Sequence, residues 1–142
     1  MPVLALDVGE RRIGVAVSDP DESFALPLRT LERTSLRADV QAIAEIALER
    51  SAETIVIGDP VRLSGERGIA AERMDRFCEA LGGAYTGTIA HIDERLTTAQ
   101  ATRTLIDADV SRARRKRVVD QLAAALILET YLARRRARGG GS

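Results

Sequence analysis

Tryptophan is absent from this 142-residue chain, and phenylalanine and tyrosine occur only twice each. A core must therefore come from Val, Ile, Leu and Ala, which the 45% apolar content allows. One cysteine, Cys78, excludes an internal disulfide. It shares a helical face with Met74, Phe77 and Leu81 and reads as a small buried hydrophobe. One histidine, His91, and one cysteine give zinc no cluster of the ligands it favours. No run of about 18 apolar residues is present, so no membrane span is expected. The first residues lack the charged start, apolar stretch and cleavage site of a signal peptide. Together these absences point to the cytoplasm. G-x-G-x-x-G, G-x-x-x-x-G-K-[ST] and G-x-S-x-G are also missing, which removes support for dinucleotide, P-loop and acyl-transfer chemistry.

What is present is one domain's worth of sequence, with residues 1–135 forming the domain and 136–142 a disordered basic and Gly-rich tail. The net charge of zero conceals an asymmetry. Residues 1–111 hold 12 basic and 19 acidic side chains, a net −7, whereas residues 112–142 hold 9 basic and 2 acidic, a net +7. The excess sits in Arg112–Arg117 and in Arg134–Arg138. Such segregation suits an acidic, extended partner, nucleic acid being the usual one, although a solvated helix flank gives the same pattern. The first cluster falls near a helix start, where cations oppose the macrodipole.

Three carboxylates stand out. Asp7 ends the apolar run Val3-Leu4-Ala5-Leu6, Glu94 follows the strand-like Thr88–Ile92, and Asp120 interrupts an apolar helix opening between Val119 and Leu122. An ionised carboxylate removed from water costs several kcal/mol or more unless a cation meets it. No basic residue at helical or strand spacing on those apolar faces offers one. Oxygen ligands of this type suit Mg²⁺ or Mn²⁺. Two such ions about 3.5–4 Å apart would serve phosphodiester hydrolysis.

The periodicities predict strands at 3–8 and 13–18 joined by a Gly9–Arg12 turn, then an edge strand near 24–31 broken by Pro27. A helix follows at 36–50 with Leu36, Val40, Ile43, Ala47 and Leu48 inward, then a buried strand at 54–58. A helix near 67–81 should stop at Gly82-Gly83. Strand 88–92 precedes a helix capped by Thr97 or Thr98, and a final helix runs from Ser111 to about 135. The inward stripe of that final helix is read as Val118, Val119, Leu122, Leu126 and Leu132. The order β-β-β-α-β-α-β-α-α implies an α/β fold: a mixed five-stranded sheet flanked by helices, with strands one, four and five side by side. The carboxyl ends of those strands would then share one edge, bringing Asp7, Asp59 and Glu94 together; Asp120 joins if the last helix crosses strand one. Ala123 and Ala124 leave room for that approach. Asp59 reads equally as a fourth ligand or a turn residue. Gly9 and Gly14 would let backbone pass near phosphate, or simply serve the hairpin. Arg11, Arg12 and the loop carrying Ser64 could reach substrate.

Leu6-Asp7-Val8-Gly9-Glu10-Arg11-Arg12-Ile13-Gly14, Ile57-Gly58-Asp59-Pro60 with Ser64-Gly65, Asp93-Glu94-Arg95-Leu96-Thr97-Thr98 and Val119-Asp120-Gln121-Leu122 together resemble the YqgF/RuvX family. The four motifs lie in the right order across about residues 3–133. Members are described as Holliday-junction resolvases and as pre-16S ribosomal RNA nucleases of ribonuclease H-like fold. The resemblance implies that Asp7, Glu94 and Asp120 are metal-binding catalytic acids. The family commonly has Lys where Arg11 stands and a non-acidic residue where Asp59 stands.

The expected activity is a Mg²⁺- or Mn²⁺-dependent nuclease, with two ions. Its substrate contacts would come from Arg11, Arg12, Ser64, Arg95, Arg114, Arg115 and Arg117. The resemblance favours 5′-end maturation of pre-16S rRNA; cleavage of branched DNA is the alternative with the same site. A non-catalytic nucleic-acid-binding module is a further reading, disfavoured because no acid is missing. An actin-like ATPase begins with a similar hairpin but needs a second large domain. A homodimer would rest on surfaces the sequence does not mark.

Overall fold

The computed structural model describes residues 2–19, 21, 24–59, 69–93 and 113–139. Its elements are β1 (Val3–Val8), β2 (Arg12–Ser18), β3 (Ala25–Glu32), α1 (Leu36–Glu49), β4 (Thr54–Asp59), α2 (Ile69–Ala84), β5 (Thr88–Asp93) and α3 (Ala113–Gly139). The strands form one sheet in the order β3-β2-β1-β4-β5. β1 pairs antiparallel with β2 and parallel with β4, and β4 pairs parallel with β5. This is the mixed five-stranded α/β sheet expected from the sequence. β3 takes the edge, where Pro27 removes no central ladder bond. The helix expected after Thr97 or Thr98 lies outside the described residues.

Side chains alternate across the sheet and divide the core in two. Leu4, Leu6, Ile13, Val15, Ile55 and Ile57 face α1 and α2, packing with Val40, Ile43, Met74, Phe77 and Leu81. Val3, Ala5, Ala16, Val56 and Ile92 face α3, packing with Ala123, Ala124, Ile127, Leu128 and Leu132. Cys78 is half-buried at the margin of the first cluster, close to the role read from sequence. Among the described residues, no helix is long and apolar enough to cross a membrane.

Four local expectations need correction. Gly82 and Gly83 do not end α2, which continues to Ala84, and neither takes a left-handed backbone. Fully buried Phe77 and Leu81 hold that end of the helix on the core, outweighing the roughly 1 kcal/mol per glycine that helix propensity costs. In α1, Ile46 is buried while Leu48 is 82% exposed. The inward stripe of α3 is rotated: Val119, Ala123, Ala124, Ile127 and Leu128 are buried, whereas Val118 and Leu122 are 50% and 38% exposed. A small-residue face lets the helix axis approach the sheet, and the bulkier pair turns away. Finally, α3 runs to Gly139 rather than about 135, its Arg- and Ala-rich end being composed of good helix formers.

α3 comes close against the sheet at Gly14. A Cβ at that position would collide with the backbone carbonyl of Asp120. Gly14→Ala should therefore lower stability by about 1–3 kcal/mol through overpacking. A urea unfolding midpoint equal to that of wild type would show that the contact does not set the helix position.

Candidate active site

β1, β4 and β5 run parallel, so their carboxyl ends share an edge. Asp7 lies one residue beyond the Leu6–Ile57 pair, level with Gly58 rather than Asp59. It is only 3% exposed, and by alternation with Val3 and Ala5 it faces α3. Its antiparallel partner on β2 is Gly14. Because Gly14 lacks a side chain, the backbone of Asp120 seats directly on it. The chain thereby brings two buried carboxylates from opposite ends of the sequence to one place, with Asp120 8% exposed.

The Asp120 carboxylate has an internal partner that spacing did not reveal. Arg12 Nε donates to Asp120 Oδ2 at 2.6 Å, with side-chain exposures of 24% and 11%. Arg12 opens β2 two positions before Gly14, and its bond to Asp120 spans a sequence gap of 108. The expectation that no cation reaches these acids is thus corrected for Asp120. Arg11 stands exposed in the turn.

A second network, unanticipated from sequence, fixes that turn. Arg33 donates through its backbone N–H to the Arg11 carbonyl and through Nη1 to the Gly9 carbonyl, both at 2.9 Å. Its Nε donates to Asp39 Oδ2 at 3.1 Å, and its guanidinium lies 5.6 Å from the centre of the Phe77 ring. Asp39 also accepts the Thr34 N–H, beside the Ser35 cap whose Oγ accepts from the Ala38 N–H. Turn, helix start and core are therefore tied through one arginine. The available signal was Ser35 followed by an acid in the first helical turn. A cleft of about 470 Å³ lies against this network on the α1–α2 side, lined by Val8, Gly9, Arg33, Asp39 and Arg73. Away from these acids, before β5, burial and then the nearby Glu53 charge push the Tyr85 phenol upward.

Glu94 follows Asp93, the last residue of β5, and lies outside the described residues, as do Ser64 and Arg95. The backbones of Arg114, Arg115 and Arg117 belong to the first turns of α3, but their side chains also lie outside the described residues. The same holds for the Asp59 side chain, although its backbone ends β4. Among the described residues, no group of three or more His, Cys, Asp or Glu side chains forms a metal site. Asp7 and Asp120 supply two of the three expected acids. Two buried carboxylates at a strand edge are a hard-oxygen donor set of the kind Mg²⁺ and Mn²⁺ take.

Arg12→Gln leaves the Asp120 carboxylate without its charged donor. The expected loss is about 1–3 kcal/mol in urea unfolding without divalent ions. Stability equal to wild type would show that solvent replaces the guanidinium freely.

Residues 1–134 match the RuvX family model, described as Holliday junction resolvase. A protein of Clostridium perfringens named as a proposed pre-16S rRNA nuclease is 43% identical over 134 residues, covering 94% of this chain and 98% of the relative. One of Myxococcus xanthus with the same name is 45% identical over 132 residues, covering 93% and 87%. Among solved structures, Thermus thermophilus RuvC in complex with a Holliday junction substrate superposes with a TM-score of 0.57 at 15% identity, covering 99% of this chain and 96% of that one. The fowlpox virus resolvase bound to Holliday junction DNA gives 0.51 at 8% identity, covering 93% and 99%. The fold is thus that of the resolvases, and the chain belongs to the RuvX (YqgF) family of nucleases.

Proposed function

We propose that this protein is a divalent-metal-dependent nuclease acting on structured nucleic acid, and that its task is maturation of the 5′ end of pre-16S rRNA in the cytoplasm. The observation that carries the reading is the seating of Asp120 on Gly14, which sets a second buried carboxylate beside Asp7 at the carboxyl edge of the sheet. Relatives above 40% identity bear the ribosomal RNA name over nearly their full length, which favours RNA as substrate. Branched DNA is the second reading, supported by the Holliday junctions bound in the structural neighbours. One nuclease domain over residues 1–135 carries either activity.

Asp7, Glu94 and Asp120 would hold Mg²⁺ or Mn²⁺, two ions in the full site. Glu94 is the proposed third ligand because it succeeds β5, two strand spacings or about 10 Å from β1. Ions bound there would activate water and stabilise the leaving oxygen of the phosphodiester. Within the protein, Asp7 is fixed by the central strand, and Arg12 orients the Asp120 carboxylate through Oδ2. Arg11, Ser64, Arg95, Arg114, Arg115 and Arg117 are the proposed contacts to substrate. Neither the fold nor a set of acids distinguishes a ribose from a deoxyribose; that choice belongs to contacts with the 2′-hydroxyl and with nucleic-acid shape.

Purified protein with Mn²⁺, offered labelled precursor RNA and a four-way DNA junction, should cut the RNA. Asp7→Asn should slow cutting by about a hundredfold or more, since even residues that only support a ligand cost about 10–100-fold. No cutting of either substrate, with Asp7→Asn behaving as wild type, would overturn the reading; cutting of the junction alone would transfer it to DNA.

Replacing Arg114, Arg115 and Arg117 together by Ala should weaken nucleic-acid binding. It should also lower the slope of log affinity against log salt by roughly two, as about three phosphate contacts are lost. An unchanged slope would identify the cluster as a solvated helix face.

A further inference from the structure

The last buried residue of α3 is Leu132, at 3% exposure. From Ala133 to Arg138 every residue is exposed, more than a full helical turn without a side chain against the core. A helix exposed on all sides over that length has left the sheet behind it and projects. The projecting part carries Arg134, Arg135, Arg136 and Arg138, and no acid follows Glu129 in the described helix.

Compensation of the helix macrodipole accounts for cations in the final turn, where Arg136 and Arg138 lie. It does not account for Arg134 and Arg135, which come earlier. The Arg135 guanidinium does fold back to 6.0 Å from the Tyr131 ring, which stiffens one member. The family match ends at residue 134, so most of this cluster is a feature of this chain rather than of the matched region. Four arginines without lysine also matter: the planar guanidinium binds phosphate through paired donors, where an ammonium acts as a point charge.

A straight helix converts sequence separation into distance. At about 1.5 Å per residue, Arg134 lies roughly 21 Å along α3 from Asp120, and Arg138 roughly 27 Å. No single nucleotide in the active site reaches that far. We propose that the projecting end of α3, Arg134 to Arg138, is a second phosphate-binding surface, which grips the nucleic-acid substrate roughly 21–27 Å from the proposed cleavage site. The proposal rests on the nuclease reading for its choice of partner. It adds a minimum substrate size: a B-form duplex must exceed roughly 6 base pairs, at about 3.4 Å each, to touch both places, and the more compressed A-form of RNA somewhat more.

The test compares the full chain with a variant in which Arg134, Arg135, Arg136 and Arg138 are all Ala. Alanine preserves helix propensity, so far-UV circular dichroism should be unchanged. Both proteins carry Asp7→Asn and are studied without divalent ions, which separates this result from whether the site cleaves. The probes are RNA hairpins of 5 and 20 base pairs in their stems. For the long hairpin, the arginine-free variant should bind at least about tenfold more weakly at moderate salt, with a salt slope smaller by roughly three. For the short hairpin the two proteins should bind alike. Equal losses on both lengths, or none on either, would overturn the proposal. So would loss of binding to phosphatidylserine vesicles with RNA binding intact, which would assign the arginines to an anionic membrane surface.

Discussion

The contact between Asp120 and Gly14 is the constraint on which the site depends. A helix laid over a sheet normally stands off by the length of the side chains between them. Here the standoff closes at one point because β2 presents glycine there, while Ala5, Ala16, Ala123 and Ala124 keep the neighbouring layer thin. The result is that a carboxylate borne by the last helix reaches the end of the first strand. Small residues at these positions set the height of the helix, since a larger side chain there would lift Asp120 away from the sheet.

Arg12 gives the same arrangement an electrostatic logic. Two carboxylates at the margin of an apolar layer repel each other and resist desolvation. A guanidinium on Oδ2 meets part of that cost from within the chain. Arg12 can do this because the hairpin delivering it is itself tied down: Arg33 links the Gly9 and Arg11 carbonyls to Asp39 and lies over Phe77. The chain of support runs from the α1–α2 core, through a half-buried arginine and a tight turn, to the face of the sheet where the acids sit.

The architecture was legible in the sequence because its signals are local. Val, Ile and Leu runs of strand length, a two-sided apolar β4 and right-handed crossovers suffice to order the sheet. The acids Asp7 and Asp120 were legible as interruptions of apolar runs. What escaped was pairwise and remote. The partnership of Arg12 with Asp120 spans 108 residues, and neither periodicity nor composition encodes it. The facing of α3 was misread for a related reason: hydrophobic size suggests that Val118 and Leu122 point inward, but the sheet beneath selects the alanines. Gly82 and Gly83 misled because burial of Leu81 outweighs a local preference.

Shape and charge divide the labour along α3. Its first turns carry Asp120 and the basic cluster that precedes it, its middle is an alanine-rich wedge against the sheet, and its end leaves the body bearing arginines. One continuous helix therefore links the acids to the outermost cations at a fixed separation. Were the two groups on separate loops, their spacing would vary with each loop's motion and would select no particular substrate size. On a rigid rod anchored by Ala123, Ala124, Ile127 and Leu128, the spacing becomes a structural property of the protein. Size discrimination can then arise from phosphate contacts alone, without any contact that reads a base.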